Sequence, residues 1–128
     1  MSLEDVSDIR GTLALFSHVF DNQEVGELHR VFTEDAAIEM TRGAGRVVQG
    51  LPAIAEFSLV LGPDGPDHQT LDSHVFVDEA GAVRARSRYL AILQDGSVHN
   101  GEYLDLLERT PDGWRISRRV SIPRFPRE

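Results

Sequence analysis

Apolar side chains near the start of the chain recur at the spacing of an amphipathic helix. The repeating positions are Val6, Ile9, Leu13, Phe16 and Phe20. They predict a helix of about four turns, which ends near the polar segment 21–24. Two further helices are predicted, a short one at residues 24–32 and a longer one at residues 51–61, where Pro52 is tolerated in the first turn.

The pattern changes to that of β-strands after the loop at residues 62–67. Four long strands are predicted, at residues 68–78, 83–94, 98–110 and 114–122. Asp95-Gly96 and Asp112-Gly113 separate the last three, and Asp-Gly is a strong hairpin signal. Earlier, residues 36–41 alternate as a strand, and residues 47–49 could return as a second arm. Helices on one face of a curved sheet, followed by a four-stranded antiparallel meander, predict an α+β domain.

The size and charge of the chain narrow its class. A length of 128 residues predicts a single domain over residues 1–128. The formal net charge of −8 argues against binding to nucleic acid, which needs clustered Lys and Arg. The absence of cysteine excludes disulfides and thiolate catalysis. The acidic N-terminal segment does not have the pattern of a secretory signal, and no apolar run has the length of a membrane span, so a cytoplasmic protein is expected.

Two segments carry a resemblance to a known superfamily. The first is GEYLDLLERT at residues 101–110, which is followed by DGWRI at 112–116, and the second is FTEDA at 32–36. The chain resembles the nuclear transport factor 2-like superfamily over nearly its whole length, in particular the SnoaL-like polyketide cyclases and the scytalone dehydratase-like enzymes. The resemblance implies a cone, in which a strongly bent antiparallel sheet wraps around three N-terminal helices and leaves a pocket at its open end.

Two polar residues at the ends of predicted elements are the candidate catalytic pair. Asp21 follows the first helix and His68 opens the first long strand. In the dehydratase-like families an aspartate at this position hydrogen-bonds the catalytic histidine, so the resemblance implies a dyad of Asp21 and His68. A carboxylate on one ring nitrogen fixes the tautomer of an imidazole that takes and gives a proton. From the residues alone, Asp21 as a cap of the second helix and His68 as a surface histidine remain open.

The resemblance also marks positions where this chain departs from the dehydratase pattern. Phe20 and Met40 stand where those sites carry tyrosines, and Leu93 stands where they carry a second histidine. These replacements predict a more apolar pocket and argue against the dehydration of scytalone itself. Phe20, Met40 and Leu93 are therefore interpreted as substrate-binding residues.

Three more substrate-binding residues are placed toward the pocket by the resemblance: Tyr89, Tyr103 and Arg119. Either tyrosine could donate a hydrogen bond to a substrate carbonyl, and Arg119 could hold an anionic substituent. A structural ion pair between Arg119 and Asp105 is an equally open interpretation. The five histidines show no recognisable metal spacing, so neither a metal nor a cofactor is predicted.

These expectations favour a small enzyme that acts without a cofactor on a hydrophobic, cyclic or polyketide-like small molecule. His68, oriented by Asp21, would move a proton next to a carbonyl or hydroxyl group and so catalyse a dehydration, an isomerisation or a cyclisation. Two alternatives stay open. One is a protein that only binds a hydrophobic ligand in the same cone, and the other is a dimeric interaction domain with a closed cavity. The resemblance implies a homodimer under each of these readings.

Overall fold

The first predicted helix forms as α1, Leu3–Asp21, and a capping box closes its N-terminus. The Ser2 hydroxyl accepts a hydrogen bond from the Asp5 backbone N–H at 3.1 Å, and the Asp5 carboxylate accepts one from the Ser2 N–H at 3.0 Å. Two backbone donors that a helix start leaves free are thereby satisfied. The helix turns one face inward, and its buried residues are Ile9, Thr12, Leu13, Phe16, Val19 and Phe20.

Asp5 is expected to make the stability of this helix start depend on pH. Hydrogen bonds from the Ser2 backbone and from the Trp114 indole lower the pKa of Asp5 from 3.8 to about 2. A carboxylate whose pKa is lower in the folded state contributes stability above its unfolded pKa, and that contribution is lost as the pH falls through its folded pKa. The difference in Tm between the wild-type protein and Asp5→Asn should therefore shrink between pH 5 and pH 2. Asp8→Asn on the same helix is the control, and a constant difference for Asp5→Asn would contradict the prediction.

The computed structural model describes residues 1–127, and the segment after α1 differs from its prediction. The short helix predicted at residues 24–32 forms as a 3-10 helix at Val25–Arg30. The first strand, β1, then spans Phe32–Met40 and begins four residues earlier than the predicted strand at 36–41. Tertiary pairing explains the difference, because Phe32 pairs with Ile116 and the Ile116 N–H donates to the Val31 carbonyl at 2.7 Å.

The remaining elements follow the predicted order closely. They are β2 at Arg46–Gln49, α2 at Leu51–Leu61, β3 at Asp67–Val77, β4 at Val83–Ile92, β5 at Val98–Thr110 and β6 at Gly113–Phe125. The six strands form one strongly bent sheet in the order β2-β1-β6-β5-β4-β3. The meander β3 to β6 is antiparallel as predicted, but β1 lies parallel to β6. A parallel pair needs a long connection, and here the whole stretch from β2 to β5 supplies it.

The helices pack against the inner face of the bent sheet and form the core with it. Aromatic rings contribute much of this packing: Phe16 stacks on Phe20 at 5.0 Å between ring centroids and meets Phe32 edge-on at 5.9 Å. Two charged residues, Asp105 and Arg119, are also buried among these apolar groups. The α+β fold is thus confirmed, with two α-helices and one 3-10 helix in the described chain. Within residues 1–127, neither α-helix is long and apolar enough to cross a bilayer.

Candidate active site

The structure brings Asp21 and His68 together through two hydrogen bonds. The His68 ring nitrogen Nδ1 lies 2.7 Å from Asp21 Oδ1, and the His68 backbone N–H donates to Asp21 Oδ2 at 2.6 Å. Both carboxylate oxygens are therefore occupied by one residue, which fixes the imidazole relative to the end of α1. The side chain of Asp21 is 8% exposed and that of His68 is 16% exposed, so the pair is largely shielded from water.

Local contacts at the end of α1 hold Asp21 in place. Gln23 adopts a positive φ of 54°, which turns the chain away from the helix axis. Its side-chain amide donates to the Asp21 carbonyl at 2.6 Å and to the Gly62 carbonyl at 2.9 Å. The Ser58 hydroxyl of α2 donates to the Phe20 carbonyl at 2.6 Å. The alternative of Asp21 as a cap is wrong, because the 3-10 helix has Glu24 at its N-cap and receives no side-chain cap.

The Asp21 contact decides which nitrogen of neutral His68 carries the proton. An ionised carboxylate only accepts hydrogen bonds, so Nδ1 must be the donor and Nε2 is left with a lone pair. His68 Nε2 has no hydrogen-bond partner among residues 1–127. His68 borders two pockets, a mainly apolar cavity and a more polar surface pocket that Asp21 also lines. The surface-histidine alternative therefore does not describe this residue.

The apolar cavity lies between the two α-helices and the bent sheet and has a volume of about 320 Å³. That volume lies at the lower end of the range of about 300–1,000 Å³ that small-molecule pockets occupy. Its walls are mainly aromatic and aliphatic, and the predicted residues that border it are Phe20, Met40, His68, Tyr89, Leu93, Tyr103 and Arg119. Asp21 contacts His68 but is not part of this lining. The structure thus brings the proposed set to one cavity, while the part that each plays in binding a substrate stays a prediction.

Arg119 and Asp105 form a buried ion pair in the cavity wall. Arg119 Nε lies 2.7 Å from Asp105 Oδ1, and Nη2 lies 2.9 Å from Oδ2. Burial alone would lower the pKa of Arg119, but the opposite charge of Asp105 and its hydrogen bonds raise that pKa above its usual value. The guanidinium therefore stays charged. The structural ion pair left open by the sequence is present, and Arg119 also borders the cavity.

Two tyrosines form the wall next to this ion pair. The rings of Tyr89 and Tyr103 stack with centroids 4.7 Å apart, and Arg119 Cζ lies 3.9 Å from the centroid of Tyr103. Burial raises the pKa of Tyr103 well above its usual value, against an opposing effect of the Arg119 charge. The Tyr103 hydroxyl therefore keeps its proton over the whole range in which the protein would work. It can serve as a hydrogen-bond donor and not as a base.

Gly101 makes room for the Tyr89 ring, and its replacement is expected to disturb this wall. A Cβ at Gly101 would lie 2.2 Å from the Ile122 carbonyl oxygen and 2.6 Å from Tyr89 Cε2. Gly101→Ala should therefore lower the free energy of unfolding by about 1–3 kcal/mol, as overpacked sites do. Urea denaturation measures this, with Gly26→Ala as the control because a Cβ there meets no atom within 4 Å. An unchanged midpoint for Gly101→Ala would show that the wall is loosely packed.

His99 is a cavity residue that the sequence reasoning missed. It borders the same cavity as His68, and the two lie on either side of Ala91, which pairs with His68 in β3 and with His99 in β5. A signal for this was present in the sequence. Directly opposed residues of an antiparallel pair share one face, so the hairpin at Asp95-Gly96 places His99 on the face of Tyr89 and Ala91. Within residues 1–127, no three His, Asp or Glu side chains meet in a cluster that could hold a metal ion.

Comparison with known proteins places the chain in a class that fits this fold and cavity. The family model described as a SnoaL-like domain matches residues 1–120, and the chain belongs to this family. An uncharacterised protein of Mycobacterium tuberculosis strain H37Rv is 32% identical, and the match covers 98% of this chain and 91% of the relative.

Solved structures agree on the fold. A nuclear transport factor 2-like protein with a cystatin-like fold from Novosphingobium aromaticivorans superposes with a TM-score of 0.81 at 23% identity, covering 98% of this chain and 85% of the other. A ketosteroid isomerase-like protein from Erwinia carotovora gives 0.75 at 18% identity, with coverage of 98% and 100%. A candidate scytalone dehydratase from Novosphingobium aromaticivorans gives 0.72 at 20% identity, with coverage of 96% and 86%. These likenesses show a shared cone-shaped fold.

Proposed function

We propose that this protein is an acid/base enzyme that needs no cofactor and acts on a hydrophobic, cyclic or polyketide-like carbonyl compound. The observation that supports the proposal most strongly is the hydrogen bonding of Asp21 to His68 at the edge of an apolar cavity. Asp21 holds the Nδ1 proton, and the lone pair of Nε2 belongs to a residue that borders the cavity. A base in this setting removes a proton from carbon when a bound substrate places that carbon within about 3 Å.

The proposed first step converts a ketone into its enolate. Nε2 of His68 takes a proton from a carbon next to the carbonyl, and the C–H electron pair moves into the enolate. His68 becomes an imidazolium, and the nearby Asp21 carboxylate stabilises its positive charge. In a β,γ-unsaturated ketone, return of the proton to the γ-carbon gives an isomerisation. Its delivery to a β-hydroxyl, which leaves as water, gives a dehydration. Attack of the enolate carbon on a second carbonyl of the same molecule, whose oxygen then takes the proton from His68, gives a cyclisation.

The developing charge on the substrate oxygen needs a hydrogen-bond donor. Tyr89 and Tyr103 border the cavity, and neither hydroxyl has a hydrogen-bond partner among residues 1–127. Since the raised pKa of Tyr103 keeps its hydroxyl protonated, this residue is a suitable donor at neutral and moderately alkaline pH. Two of the solved neighbours, one isomerase-like and one dehydratase-like by name, fit this shared enolate step.

Exchange of α-protons with solvent tests the proposal without knowledge of the natural substrate. The probe is 2-tetralone, a bicyclic ketone, incubated with the protein in D₂O and followed by proton NMR. Loss of the signals next to the carbonyl, well above the rate in buffer alone, is the expected result. Exchange at the buffer rate by a protein that binds 2-tetralone would contradict the enolate step.

A ligand-binding protein without activity is the second candidate. Phe20, Met40 and Leu93 all border the cavity and make its wall more apolar than the polar residues of the dehydratase pattern would. Such a wall favours the binding of a hydrophobic ligand. This candidate predicts that 2-tetralone binds without exchange. It also predicts that removal of the imidazole, as in His68→Asn, leaves the Kd within about twofold of the wild-type value.

A further inference from the structure

One N–H group of the buried ion pair has no acceptor. Arg119 is 1% exposed, and its Nη1 is buried without a hydrogen-bond partner among residues 1–127. The other two nitrogens of the same guanidinium are both engaged by Asp105. Because the two contacts form a fork on one carboxylate, the guanidinium cannot turn Nη1 toward another acceptor without breaking them. The unsatisfied donor is therefore a fixed feature of the cavity wall.

A buried donor without an acceptor is costly, and the cost is larger when the donor is charged. Folded proteins leave few such groups, and each asks for an explanation. Within residues 1–127 the protein offers no acceptor to Nη1, and two aromatic rings lie against the guanidinium. Arg119 Cζ lies 3.9 Å from the centroid of Tyr103 and 4.6 Å from that of Phe16. Since Arg119 borders the cavity, the oxygen atom of a ligand bound there can supply the acceptor that Nη1 lacks.

The charge of the pair decides what kind of oxygen this is. Asp105 is as deeply buried as Arg119 and neutralises it, so the pair presents no net positive charge to the cavity. A carboxylate ligand would lose its hydration on entry and meet Asp105 close behind the donor, without an uncompensated cation in return. A neutral carbonyl oxygen loses far less hydration and still gains a hydrogen bond from a charged donor.

We infer that Arg119 Nη1 is the binding site for a neutral carbonyl oxygen, and that the cavity therefore selects ketones over carboxylates. This differs from the expectation that Arg119 would hold an anionic substituent, and it rests on the proposed function for the identity of the reacting group. The base and the donor lie on either side of one ring. The Phe16 ring centroid lies 6.1 Å from the centroid of the His68 ring and 4.6 Å from Arg119 Cζ.

The position also gives Arg119 a use during the reaction. The ketone is neutral when it binds, but its oxygen gains negative charge as His68 removes the proton. A fixed N–H donor aimed at that oxygen stabilises the developing charge more than it stabilises the ground state. Arg119 would therefore act on the same oxygen as Tyr103, whose ring lies against the guanidinium.

A matched series of ligands tests the selection in the wild-type protein. The probes are 2-tetralone, its analogue with an exocyclic methylene in place of the oxygen, and the 2-carboxylate of the same bicyclic ring, each titrated by calorimetry. We expect the ketone to bind roughly 10- to 100-fold more tightly than the methylene analogue, as the loss of a hydrogen bond to a charged group does. The carboxylate should bind at least about tenfold more weakly than the ketone. Equal affinities for ketone and methylene analogue, tighter binding of the carboxylate, or no binding of any probe would each overturn the inference.

Two variants assign the effect to Arg119. Arg119→Met combined with Asp105→Leu removes the donor without leaving a buried charge. Arg119→Lys keeps a cation for Asp105 but has one nitrogen in place of three, so the position of Nη1 is left empty. In both, the preference for the ketone over the methylene analogue should fall to within about threefold. Circular dichroism establishes whether each variant is folded. If only one of the two variants folds, that variant alone is enough for the test. A preference that survives in a folded variant would place the carbonyl elsewhere.

The measurements separate this inference from the proposed function. Affinity reports on Arg119, whereas deuterium exchange reports on His68. Exchange by a protein that does not prefer the ketone would leave the enolate step standing and remove the role of Arg119. A clear preference for the ketone without exchange would support the oxygen-binding site and contradict the proposed enzymatic function.

Discussion

Replacing His68 by asparagine is expected to slow the exchange of ketone α-protons by roughly 10²- to 10⁴-fold, the usual contribution of a positioned acid/base group. Asparagine carries an amide that can still donate to Asp21 in place of Nδ1, so the hydrogen bond between the start of the strand and Asp21 is kept. It has no counterpart of Nε2, so the base is lost. The measurement is the NMR exchange rate of 2-tetralone in D₂O, normalised to the folded fraction of each protein.

The control for this experiment is His74→Asn. His74 lies on the same strand as His68 but outside the cavity lining, where it stacks on Phe76 with ring centroids 5.4 Å apart. The His74→Asn variant should exchange the α-protons of 2-tetralone at the wild-type rate. If His68→Asn were equally active, the proton would be moved by another group. His99 would then be the first residue to test, because it borders the same cavity.

Asp21→Asn separates orientation from proton transfer. An amide offers one acceptor oxygen where the carboxylate offers two, so either the ring or the backbone N–H of His68 loses its partner. The amide also removes the negative charge that supports the imidazolium. A slower exchange rate with little change in ketone affinity is the expected signature of a positioning residue. Equal losses in rate and affinity would instead indicate that Asp21 only maintains the shape of the cavity.

The parts of the fold that depend on local chemistry could be predicted from the sequence. The two Asp-Gly pairs mark hairpins because a tight turn needs a positive φ, and Gly96 and Gly113 have φ values of 85° and 126°. The period of the first helix likewise fixed its buried face, since an inward stripe at helical spacing has one place to go. The start of β1 at Phe32 was not predictable in this way, because Phe32 is extended by its pairing with Ile116, more than eighty residues away in the chain.

In the candidate site, too, some features could be predicted from the sequence and others depend on contacts between distant segments. The resemblance to a known superfamily predicts the pairing of Asp21 with His68, and neither residue can be chosen from its neighbours in the sequence alone. The state of Arg119 depends on a contact between two strands. Its pairing with Asp105 follows from the register of β5 on β6, where these two residues are directly opposed. A one-residue shift in that register would have put one of them outside, so only the folded chain decides that the pair is buried and neutral. The homodimer and the roles of the lining residues stay predictions.

Replacing Asp105 by asparagine is expected to lower the free energy of unfolding by about 3–5 kcal/mol, the usual effect of leaving one charge of a buried pair uncompensated. Asparagine has nearly the same shape as aspartate and keeps one acceptor oxygen, so the loss reports mainly on charge. Urea denaturation followed by circular dichroism gives the value.

The matched comparison is the double variant Arg119→Met with Asp105→Leu. Since it removes both charges and fills the space with apolar atoms, it should be no less stable than the wild-type protein, or more stable. The two results together would show that the ion pair is not required for folding. They would support the view that the protein keeps a buried charge in its cavity wall for the oxygen of a ligand. A large loss in the double variant would contradict this view and make the pair part of the structural core. If Asp105→Asn were as stable as the wild type, water must reach Arg119, and Nη1 would not be an unsatisfied donor.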